Sequence, residues 1–402
     1  MAFSTSLSGV NAAQQTMDVV SNNIVNAGTI GFKKGETEFA EIYASSLQDS
    51  GQGAGQGVAL TTIRSDFSQG EFSFTTSALD LAIDGSGMFV LNDGDGALYT
   101  RAGSFRIDGE GYVVSTSGAR VQGFQPDQNG VITPAIDDLQ ISLDLMQPQA
   151  TTEVAFSGNL DTRTDPALTP FAAGDTDTYN FSTSTTIYDS TGTPHQLDIY
   201  FAKAAEPDGT YNVYATIDGD LQPESASMTF DGTGTLTADS DQQLEILTFA
   251  ALGADPQTFT IDLASTSGLG AESSTQTLSQ NGFKPGEVVS FEFDDTGTVY
   301  AKYTNGEIRA MGQVLLANFI NPSALSPAGN TNYRASEGSG IAVVGKPSTG
   351  SRGYIRPSAL EVSNVDITQE LLALIEAQRN FQSSAQAIQN EDEMSQSILN
   401  IL

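Results

Sequence analysis

Two long segments with a heptad-like spacing of apolar residues lie at the opposite ends of this 402-residue chain. In the N-terminal segment the apolar residues recur at steps of three and four, which places them on one face of a helix. Over residues 1–31 the only charged residue is Asp18, and proline is absent. A helix of roughly 20 residues with so little charge is suited to burial against other helices. This segment therefore predicts a helix that packs against other helices.

The C-terminal segment repeats the pattern, with Asp366 and Thr368 as the predicted helix start. Because a β-type middle separates the two segments, we expect the terminal helices to pair with each other and then with copies from neighbouring subunits. The alternative is that both helices belong to a globular core. The predicted assembly seams comprise Phe3, Leu7, Val10, Met17 and Ile24 in the first helix, and Leu371, Leu374, Phe381, Ile388 and Ile398 in the second.

The middle of the chain has the signals of antiparallel β-structure. Leu79, Leu81 and Ile83 alternate with small or acidic residues, which is typical of a strand. Asp-Gly and Asn-Gly pairs, which favour tight turns, recur along the sequence. Residues 299–303 and 308–316 flank Asn305-Gly306 and form the best predicted hairpin. The predicted fold class is mainly β with α-helical termini: paired N- and C-terminal coiled-coil helices, a discontinuous β core domain and an inserted outer β domain.

Residues 146–284 differ from their surroundings, with 19 acidic and three basic residues and a net charge of −16. We interpret this stretch as an inserted, exposed domain. A Gln/Gly-rich stretch with Gly51, Gly53, Gly55 and Gly57 predicts a flexible connector. The predicted division is a helical domain at 1–30 plus 364–402, a connector at 31–71 plus 359–363, a core β domain at 72–145 plus 285–358, and an outer β domain at 146–284.

Composition excludes several classes of function. With 49 acidic against 16 basic residues, the net charge of −33 leaves no basic face for nucleic acid or for an anionic membrane. The absence of cysteine excludes disulfides and thiolate metal sites, and a single histidine excludes paired-histidine metal sites. No apolar run is long enough to span a membrane, and no secretory signal is visible. Alone, these features would indicate a cytoplasmic protein.

Short motifs that suggest chemistry have simpler explanations. Residues 295–297 match an aspartic-protease-like triplet, and residues 189–192 match it with one extra residue, but Asp, Ser, Thr and Gly are also turn formers. His195 is expected to be a solvated histidine in a turn, and residues 92–96 match only part of a calcium loop. Residues 345–348 cannot form a phosphate loop because proline interrupts them. We therefore predict no enzymatic activity, no cofactor and no metal site.

The end of the first predicted helix carries a distinctive segment, residues 21–33. Its asparagines can bond to local backbone groups, its glycines can adopt left-handed conformations, and Phe32 can anchor the turn in a core. Residues 358–367 and 377–382 form a second distinctive segment near the other end. The residues that carry these signatures are Asn22, Asn23, Asn26, Gly28, Gly31, Phe32 and Lys33 in the first segment, and Asn364, Val365 and Asp366 in the second.

Together these segments resemble the terminal signatures of the bacterial flagellar rod and hook proteins. Residues 79–90, 99–105 and 118–124 are similar to the core domain of that family, and residues 185–201 to the outer domain of its hook members. One departure is Ala27-Gly28, where the family often has a second Asn-containing step.

The resemblance implies a structural hook subunit that polymerises into a curved hollow tube and transmits motor torque as a universal joint. It also implies an extracellular location, reached through the flagellar type III export apparatus without a cleaved signal peptide. The implied partners are other copies of the chain and the rod, hook-cap and hook–filament junction proteins, with no nucleic acid and no membrane insertion. The alternatives are a distal-rod or hook-associated subunit and, in another class, a calcium-dependent adhesin or hydrolase.

Overall fold

The computed structural model describes residues 2–42, 57–127, 130–249 and 255–401. As predicted, the fold is mainly β with a helix at each end: α1 (Ala2–Val25) and α2 (Ile367–Ile401). Three of the predicted connector glycines, Gly51, Gly53 and Gly55, lie outside the described residues. Among the described residues, neither terminal helix contains an apolar stretch long enough to cross a bilayer.

The strands, in chain order, are β1 (Gly35–Glu41), β2 (Val58–Ser65), β3 (Phe72–Phe74), β4 (Leu81–Asp84), β5 (Met88–Asn92), β6 (Ala97–Thr100), β7 (Phe105–Ile107), β8 (Val113–Ser115), β9 (Arg120–Pro126), β10 (Ile132–Asp138), β11 (Glu153–Asp161), β12 (Phe181–Tyr188), β13 (Pro194–Lys203), β14 (Thr210–Ile217), β15 (Asp220–Thr229), β16 (Gln243–Phe249), β17 (Gln257–Leu269), β18 (Ser274–Gln280), β19 (Val288–Phe293), β20 (Thr298–Tyr303), β21 (Ile308–Val314), β22 (Leu316–Asn318), β23 (Ser326–Gly329), β24 (Asn332–Arg334), β25 (Val343–Gly345), β26 (Tyr354–Pro357) and β27 (Ala359–Glu361).

The chain divides into two compact units. The first contains Met1–Ser142, Ser290–Ala301 and Ile308–Leu402, and the second contains Leu143–Val289 and Lys302–Glu307. The finer division expected from the sequence, with a separate connector and a separate helical domain, stays a prediction. Within the expected connector, β1 and β2 form an antiparallel hairpin.

The first unit contains the helices and a large sheet in which many neighbouring strands are not consecutive in sequence. The main path of that sheet runs β19-β20-β21-β9-β5-β6-β24-β23, and smaller strand pairs join β26 to β4 and β27 to β3. The hairpin predicted around Asn305-Gly306 is present as neighbouring strands β20 and β21, with Gly306 at a φ of 92°. The core of this unit includes Val299 of β20, Val314 of β21, and Leu81 and Ile83 of β4.

The second unit is a sandwich of two four-stranded sheets, β16-β17-β11-β18 and β12-β13-β14-β15. Alternate residues of β13, namely Leu197, Ile199 and Phe201, enter one core with Phe156 of β11 and Ile261 of β17. The intervening residues, which are mostly Thr, Ser, Asp and Tyr, stay on the outer faces, as expected for a sheet with one solvated side.

Candidate assembly site

The two terminal helices pack against each other in an antiparallel pair. Near the start of α1, a Cβ added at Gly9 would lie 2.9 Å from Ser384 Oγ. Near its end, Asn23 Nδ2 donates a hydrogen bond to Glu370 Oε2 at 3.1 Å. Residue numbers therefore increase along α1 in the same direction in which they decrease along α2.

The contact between α1 and α2 includes several small residues. Ala13, Val20 and Asn23 are buried on α1, and Ala377 is buried on α2. These belong to two heptad-like stripes: Gly9, Ala13, Thr16, Val20 and Asn23 on α1, and Glu370, Ala373, Ala377, Asn380 and Ser384 on α2. Each stripe lies one residue before the apolar stripe predicted from the sequence, which is a rotation of about 100° around the helix. The helices thus meet along a neighbouring face.

The predicted seam residues lie beside this contact and are incompletely covered. Leu7 and Leu371 are 43% and 46% exposed. The other seam residues whose side chains are described are half-buried: Val10, Met17, Ile24, Leu374, Phe381 and Ile388. The side chains of Phe3 and Ile398 lie outside the described residues. Because Leu372 and Ile375 are also exposed, α2 presents a continuous apolar ridge near its start.

A cleft of about 480 Å³ lies between the two helices and the β1 strand. Its lining is mostly small or polar: Gly9, Ala12, Ala13, Thr16, Thr37, Phe39, Ala373, Glu376, Ala377, Asn380, Ser383 and Ser384. Small residues on helix surfaces allow another helix or a large side chain to approach closely. The same helices therefore present both a small-residue cleft and an exposed apolar ridge.

The asparagines of the N-terminal signature bond to local groups, as the sequence predicts. Asn26 Nδ2 donates to the carbonyl oxygen and to the side-chain Oδ1 of Asn22, at 2.9 and 2.6 Å. Asn23 holds the start of β1 through two bonds of 2.9 Å, donating to the Gly35 carbonyl and accepting from the Gly35 amide. These contacts fix the direction in which the chain leaves α1.

Two parts of the prediction for this turn are wrong. Gly31 has the expected left-handed φ of 67°, but Gly28 does not. Gly28 is exposed, and a Cβ there would meet nothing within 4 Å, so neither its φ nor its surroundings require glycine. Phe32 is only half-buried, and the residue that anchors the turn is the neighbouring Lys33, which is buried.

Lys33 belongs to a buried ionic junction with Glu361 and Arg101. Lys33 Nζ lies 2.5 Å from Glu361 Oε1, and Arg101 Nη1 lies 2.9 Å from Glu361 Oε2. The side chains of Lys33 and Glu361 are fully buried, and that of Arg101 is 6% exposed. The carboxylate also accepts the Gly70 amide, at 2.9 Å.

Backbone carbonyls complete the junction. Lys33 Nζ donates to the Ser68 carbonyl at 2.6 Å, and Arg101 donates to the carbonyls of Ile83 and Gly85. Burial lowers the pKa of the Lys33 ammonium from its usual value, although the Glu361 carboxylate acts in the opposite direction. A buried charge is tolerated when it is paired and most of its donors are satisfied. Both cations of this site are paired with Glu361 and bond to backbone carbonyls, and Arg101 Nε is the one buried donor of the junction without a partner among the described residues.

The C-terminal signature joins the same region. Asn364 Oδ1 accepts the Lys34 amide at 2.9 Å, and Asn364 Nδ2 donates to the Asp66 carbonyl at 2.9 Å. Asp366 Oδ1 accepts the Thr368 amide at 2.8 Å and so caps the start of α2, as predicted. Val365 is half-buried between these two residues.

The two protease-like triplets are turns, as the sequence analysis predicts, and a third turn has the same geometry. In each, one Asp Oδ1 accepts the amide and hydroxyl of a threonine two residues later and the amide of a threonine four residues later. The carboxylates are those of Asp189, Asp231 and Asp294, and the intervening glycines have φ of 73–81°. In each turn the Oδ1 atom of this carboxylate accepts the turn's hydrogen bonds.

His195 is not the solvated turn residue that we predicted. It lies in β13 with a side chain only 12% exposed, because the β14–β15 turn brings Asp218 onto it. His195 Nδ1 lies 2.6 Å from Asp218 Oδ2, and Nε2 lies 3.5 Å from Asp189 Oδ2. In residues 92–96, the side chains of Asn92 and Asp93 accept backbone amides of the same turn.

The sequence analysis missed Glu361, Arg101 and the small-residue stripes. Glu361 is the only charged residue between Arg356 and Asp366, and this isolation is the one sequence signal available. Its partners are 328 and 260 positions away, beyond any local pattern. Small side chains such as Ala13 gave only a weak signal, because hydrophobic periodicity is dominated by large side chains.

Comparison with known proteins gives matches to several segments of the chain. Four family models match: flagella basal body rod protein at residues 3–33, flagellar hook protein FlgE/F/G D1 domain at 82–159, flagellar basal body protein FlaE D2 domain at 159–283, and flagellar basal body rod FlgEFG protein C-terminal at 356–401.

Full-length relatives match as well. The chain is 36% identical to the flagellar hook protein FlgE of Escherichia coli K12, with all of both chains covered. It is 33% identical to the corresponding protein of Rhizobium meliloti, over 99% of this chain and 98% of that one. The crystal structure of Helicobacter pylori flagellar hook protein FlgE2 has the same fold over 72% of this chain, with a TM-score of 0.55 at 16% identity. Because relatives that are more than 30% identical match essentially the entire chain, the chain belongs to the flagellar hook protein family.

Proposed function

We propose that this chain is the structural subunit of a flagellar hook and polymerises into a curved, hollow, extracellular tube that transmits motor torque to the filament. The observation that carries the proposal is the incompletely covered apolar stripe on the paired terminal helices. A monomeric protein rarely leaves such a stripe on two long helices without a partner.

The stripe and the cleft support contacts between copies. Leu371, Leu372 and Ile375 form a ridge on α2, while Ala12, Ala373 and Ala377 line the cleft between the helices. A ridge of large side chains on one copy can enter a groove of small residues on the next. Because ridge and groove are different surfaces, the contact is head-to-tail and can propagate along an open helical polymer.

The seam residues are the proposed assembly site. In the tube, the stripe that includes Val10, Met17, Leu374 and Phe381 would be buried against helices of neighbouring copies. Heptad spacing provides many weak and equivalent contacts, which allow neighbouring subunits to slide by small amounts while they stay packed. That property suits a joint that bends while it rotates.

The proposed partners are other copies of the chain, the rod, hook-cap and hook–filament junction proteins, and the type III export apparatus. Export of the unfolded chain would explain an extracellular protein without a cleaved signal peptide. The absence of cysteine suits that route, since no thiol can form a cross-link during or after export. No enzymatic step is part of the proposal.

Electron microscopy of polymer grown from the purified chain tests this function. A curved hollow tube is expected. A straight, stiff polymer would favour the distal-rod alternative, and a chain that stays monomeric at all concentrations and salt conditions would contradict the proposal. Chelator-sensitive folding would instead favour a calcium-dependent adhesin.

A further inference from the structure

Seven Asp-Gly steps occur in the chain, and all of them lie in the described residues. Their aspartates are Asp84, Asp93, Asp95, Asp108, Asp208, Asp218 and Asp231. At such a step the backbone nitrogen of the glycine can attack the side-chain carbonyl carbon of the aspartate, because no Cβ on the glycine hinders the close approach. The folded structure determines whether each carboxyl group can meet that nitrogen.

Five of the seven carboxylates are held by groups other than the following amide. In Asp231, both oxygens accept hydrogen bonds from the amides and hydroxyls of Thr233 and Thr235. The others are Asp84, Asp93, Asp108 and Asp218, which bond to arginine, tyrosine, histidine or more distant backbone amides. A carboxylate held in this way has to give up those bonds before it can meet the glycine nitrogen.

Asp208 has the opposite arrangement. The Gly209 amide donates a hydrogen bond to Asp208 Oδ1 at 3.0 Å, so the nitrogen is held against the carboxyl group that it would attack. Reacting groups held about 3–3.5 Å apart are close to the geometry of attack. The side chain of Asp208 is 93% exposed, so water has access to it. Lys203 Nζ lies 3.6 Å from the same oxygen, beyond hydrogen-bond distance, and does not draw the carboxyl group away from Gly209.

Two other aspartates separate orientation from exposure. Asp95 is exposed, and among the described residues its carboxylate makes no hydrogen bond to the Gly96 amide. Asp137 Oδ1 accepts the next amide at 2.8 Å, but the next residue is Asp138, which has a Cβ and lies in β10. Of the seven Asp-Gly steps, Asp208 alone combines an exposed carboxyl group with a direct contact to the following nitrogen.

We propose that Asp208-Gly209 is a site of spontaneous isoaspartate formation in the folded chain. The Gly209 nitrogen forms a bond to Cγ of the protonated Asp208 carboxyl group, and the hydroxyl of that group leaves as water with the proton of the nitrogen. Water then adds to either carbonyl of the five-membered imide, which restores aspartate or gives isoaspartate. The water lost in the first step is regained in the second, so the reaction needs no other reactant.

Isoaspartate changes the backbone in the turn between β13 and β14. The new linkage passes through the side-chain carbon of residue 208 and lengthens the backbone by one atom. The Gly209 carbonyl accepts the Phe230 amide at 3.0 Å, and Phe230 is 6% exposed in the core of the second unit. A longer turn therefore displaces a residue that is bonded to the core. This inference concerns the folded subunit and is independent of polymer formation.

Ageing of the native subunit in heavy-oxygen water tests the proposal. Each passage through the imide adds one heavy oxygen atom at the reacting residue, and peptide mapping separates the isoaspartyl peptide from the aspartyl peptide. Label should enter at Asp208 about tenfold or more faster than at Asp231 and at Asp95. Equal rates at Asp95 and Asp208 would overturn the proposal, because exposure alone would then determine the reaction.

Two controls assign the rate to the folded geometry. In a urea concentration that unfolds the subunit, the rates at Asp208, Asp95 and Asp231 should converge, because each aspartate is then followed by an unrestrained glycine. The Asp208→Glu variant keeps the charge at an exposed position and should fold normally, but it should lose the label in this peptide because its longer side chain would have to close a larger ring. A preference for Asp208 that persists in urea overturns the structural assignment, and so does undiminished labelling of the Asp208→Glu variant.

Discussion

Lys33 and Glu361 are 328 positions apart in sequence and form a fully buried ion pair with an N–O distance of 2.5 Å. The pair lies where the chain enters the β-structure after α1 and leaves it before α2, so it connects the end of α1 and the start of α2 to the β-structure of the first unit. Arg101, from the β-structure itself, completes the junction on the second carboxylate oxygen. Both chain ends are therefore tied to one carboxylate.

The first prediction concerns that carboxylate. Glu361→Ala leaves two buried cations without a counter-charge, which should lower the free energy of unfolding by about 3–5 kcal/mol. Urea unfolding of the soluble subunit measures the loss. The control is Glu36→Ala, which removes a partner of Lys34 and Arg64 at the surface and should cost at most about 1 kcal/mol. Equal losses for the two variants would show that the junction is well solvated.

The second prediction concerns the glycines after α1. A Cβ at Gly31 would lie 2.3 Å from the Ala102 backbone nitrogen, and its φ of 67° disfavours any side chain. Gly31→Ala should therefore destabilise the subunit by more than about 1 kcal/mol. The matched control is Gly28→Ala, because position 28 has open space and ordinary φ. Thermal melting of both variants decides the question, and a stable Gly31→Ala subunit would contradict the close approach to Ala102.

The third prediction concerns the helix seam. Leu374→Asp combined with Phe381→Asp places charge on a surface that should be buried only between copies, at a cost on the order of several kcal/mol per site. The β-structure should fold normally while polymer formation is lost in sedimentation assays. The control variant, Gln382→Asp with Gln389→Asp, changes exposed residues of the same helix. Unimpaired polymer from the seam variant would show that the stripe faces solvent.

The fourth prediction concerns acid stability. Hydrogen bonds from the Thr233 hydroxyl and from Thr235 hold the pKa of Asp231 well below its usual value. Burial of Asp189 would raise its pKa, but bonds from the Thr191 hydroxyl and the Thr193 amide outweigh it and lower the pKa overall. A carboxylate with a lowered folded pKa stabilises the fold above the unfolded pKa of about 3.9 and loses that contribution as pH falls through the folded value.

The melting temperature of the natural chain should therefore stay level above about pH 5 and fall towards pH 2. Asp189→Asn should lower the neutral-pH melting temperature more than Asp231→Asn, because Asp189 is buried and Asp231 is exposed. Both variants should show a shallower acid decline than the natural chain. If the melting temperature of both variants falls with acid as steeply as that of the natural chain, the acid sensitivity belongs to other carboxylates. The control is Asp239→Asn, which changes a carboxylate outside these turns.

The fifth prediction concerns net charge. Residues 146–284 carry −16, so neighbouring copies repel each other in a polymer. The screening length is about 30 Å at 10 mM salt and about 3 Å at 1 M. Polymer yield and melting temperature should therefore be higher in roughly 0.5–1 M NaCl than in about 10 mM. A neutral osmolyte at matched osmolality is the control, and gains no larger than with the osmolyte would exclude screening as the cause.

Local sequence was sufficient for the elements themselves. Heptad spacing predicted α1 and α2, Asp366 predicted the start of α2, and alternation with Asn-Gly punctuation predicted the β20–β21 hairpin. These signals succeed because helix periodicity, capping and tight turns each depend on residues within a few positions of one another. The terminal signatures likewise identified the family without any knowledge of contacts.

The tertiary structure alone decided which faces and charges meet. Periodicity marks large side chains, so it indicated the stripe of Leu374 and Phe381 and missed the adjacent stripe of Ala13 and Ala377, where close approach of the backbones favours small residues. The role of Lys33 depends on Glu361, whose distance in sequence leaves no local trace. Because both partners are buried, the loss of either one would leave an uncompensated buried charge. That burial depends on the tertiary fold, since four separate chain segments must exclude water from the same carboxylate.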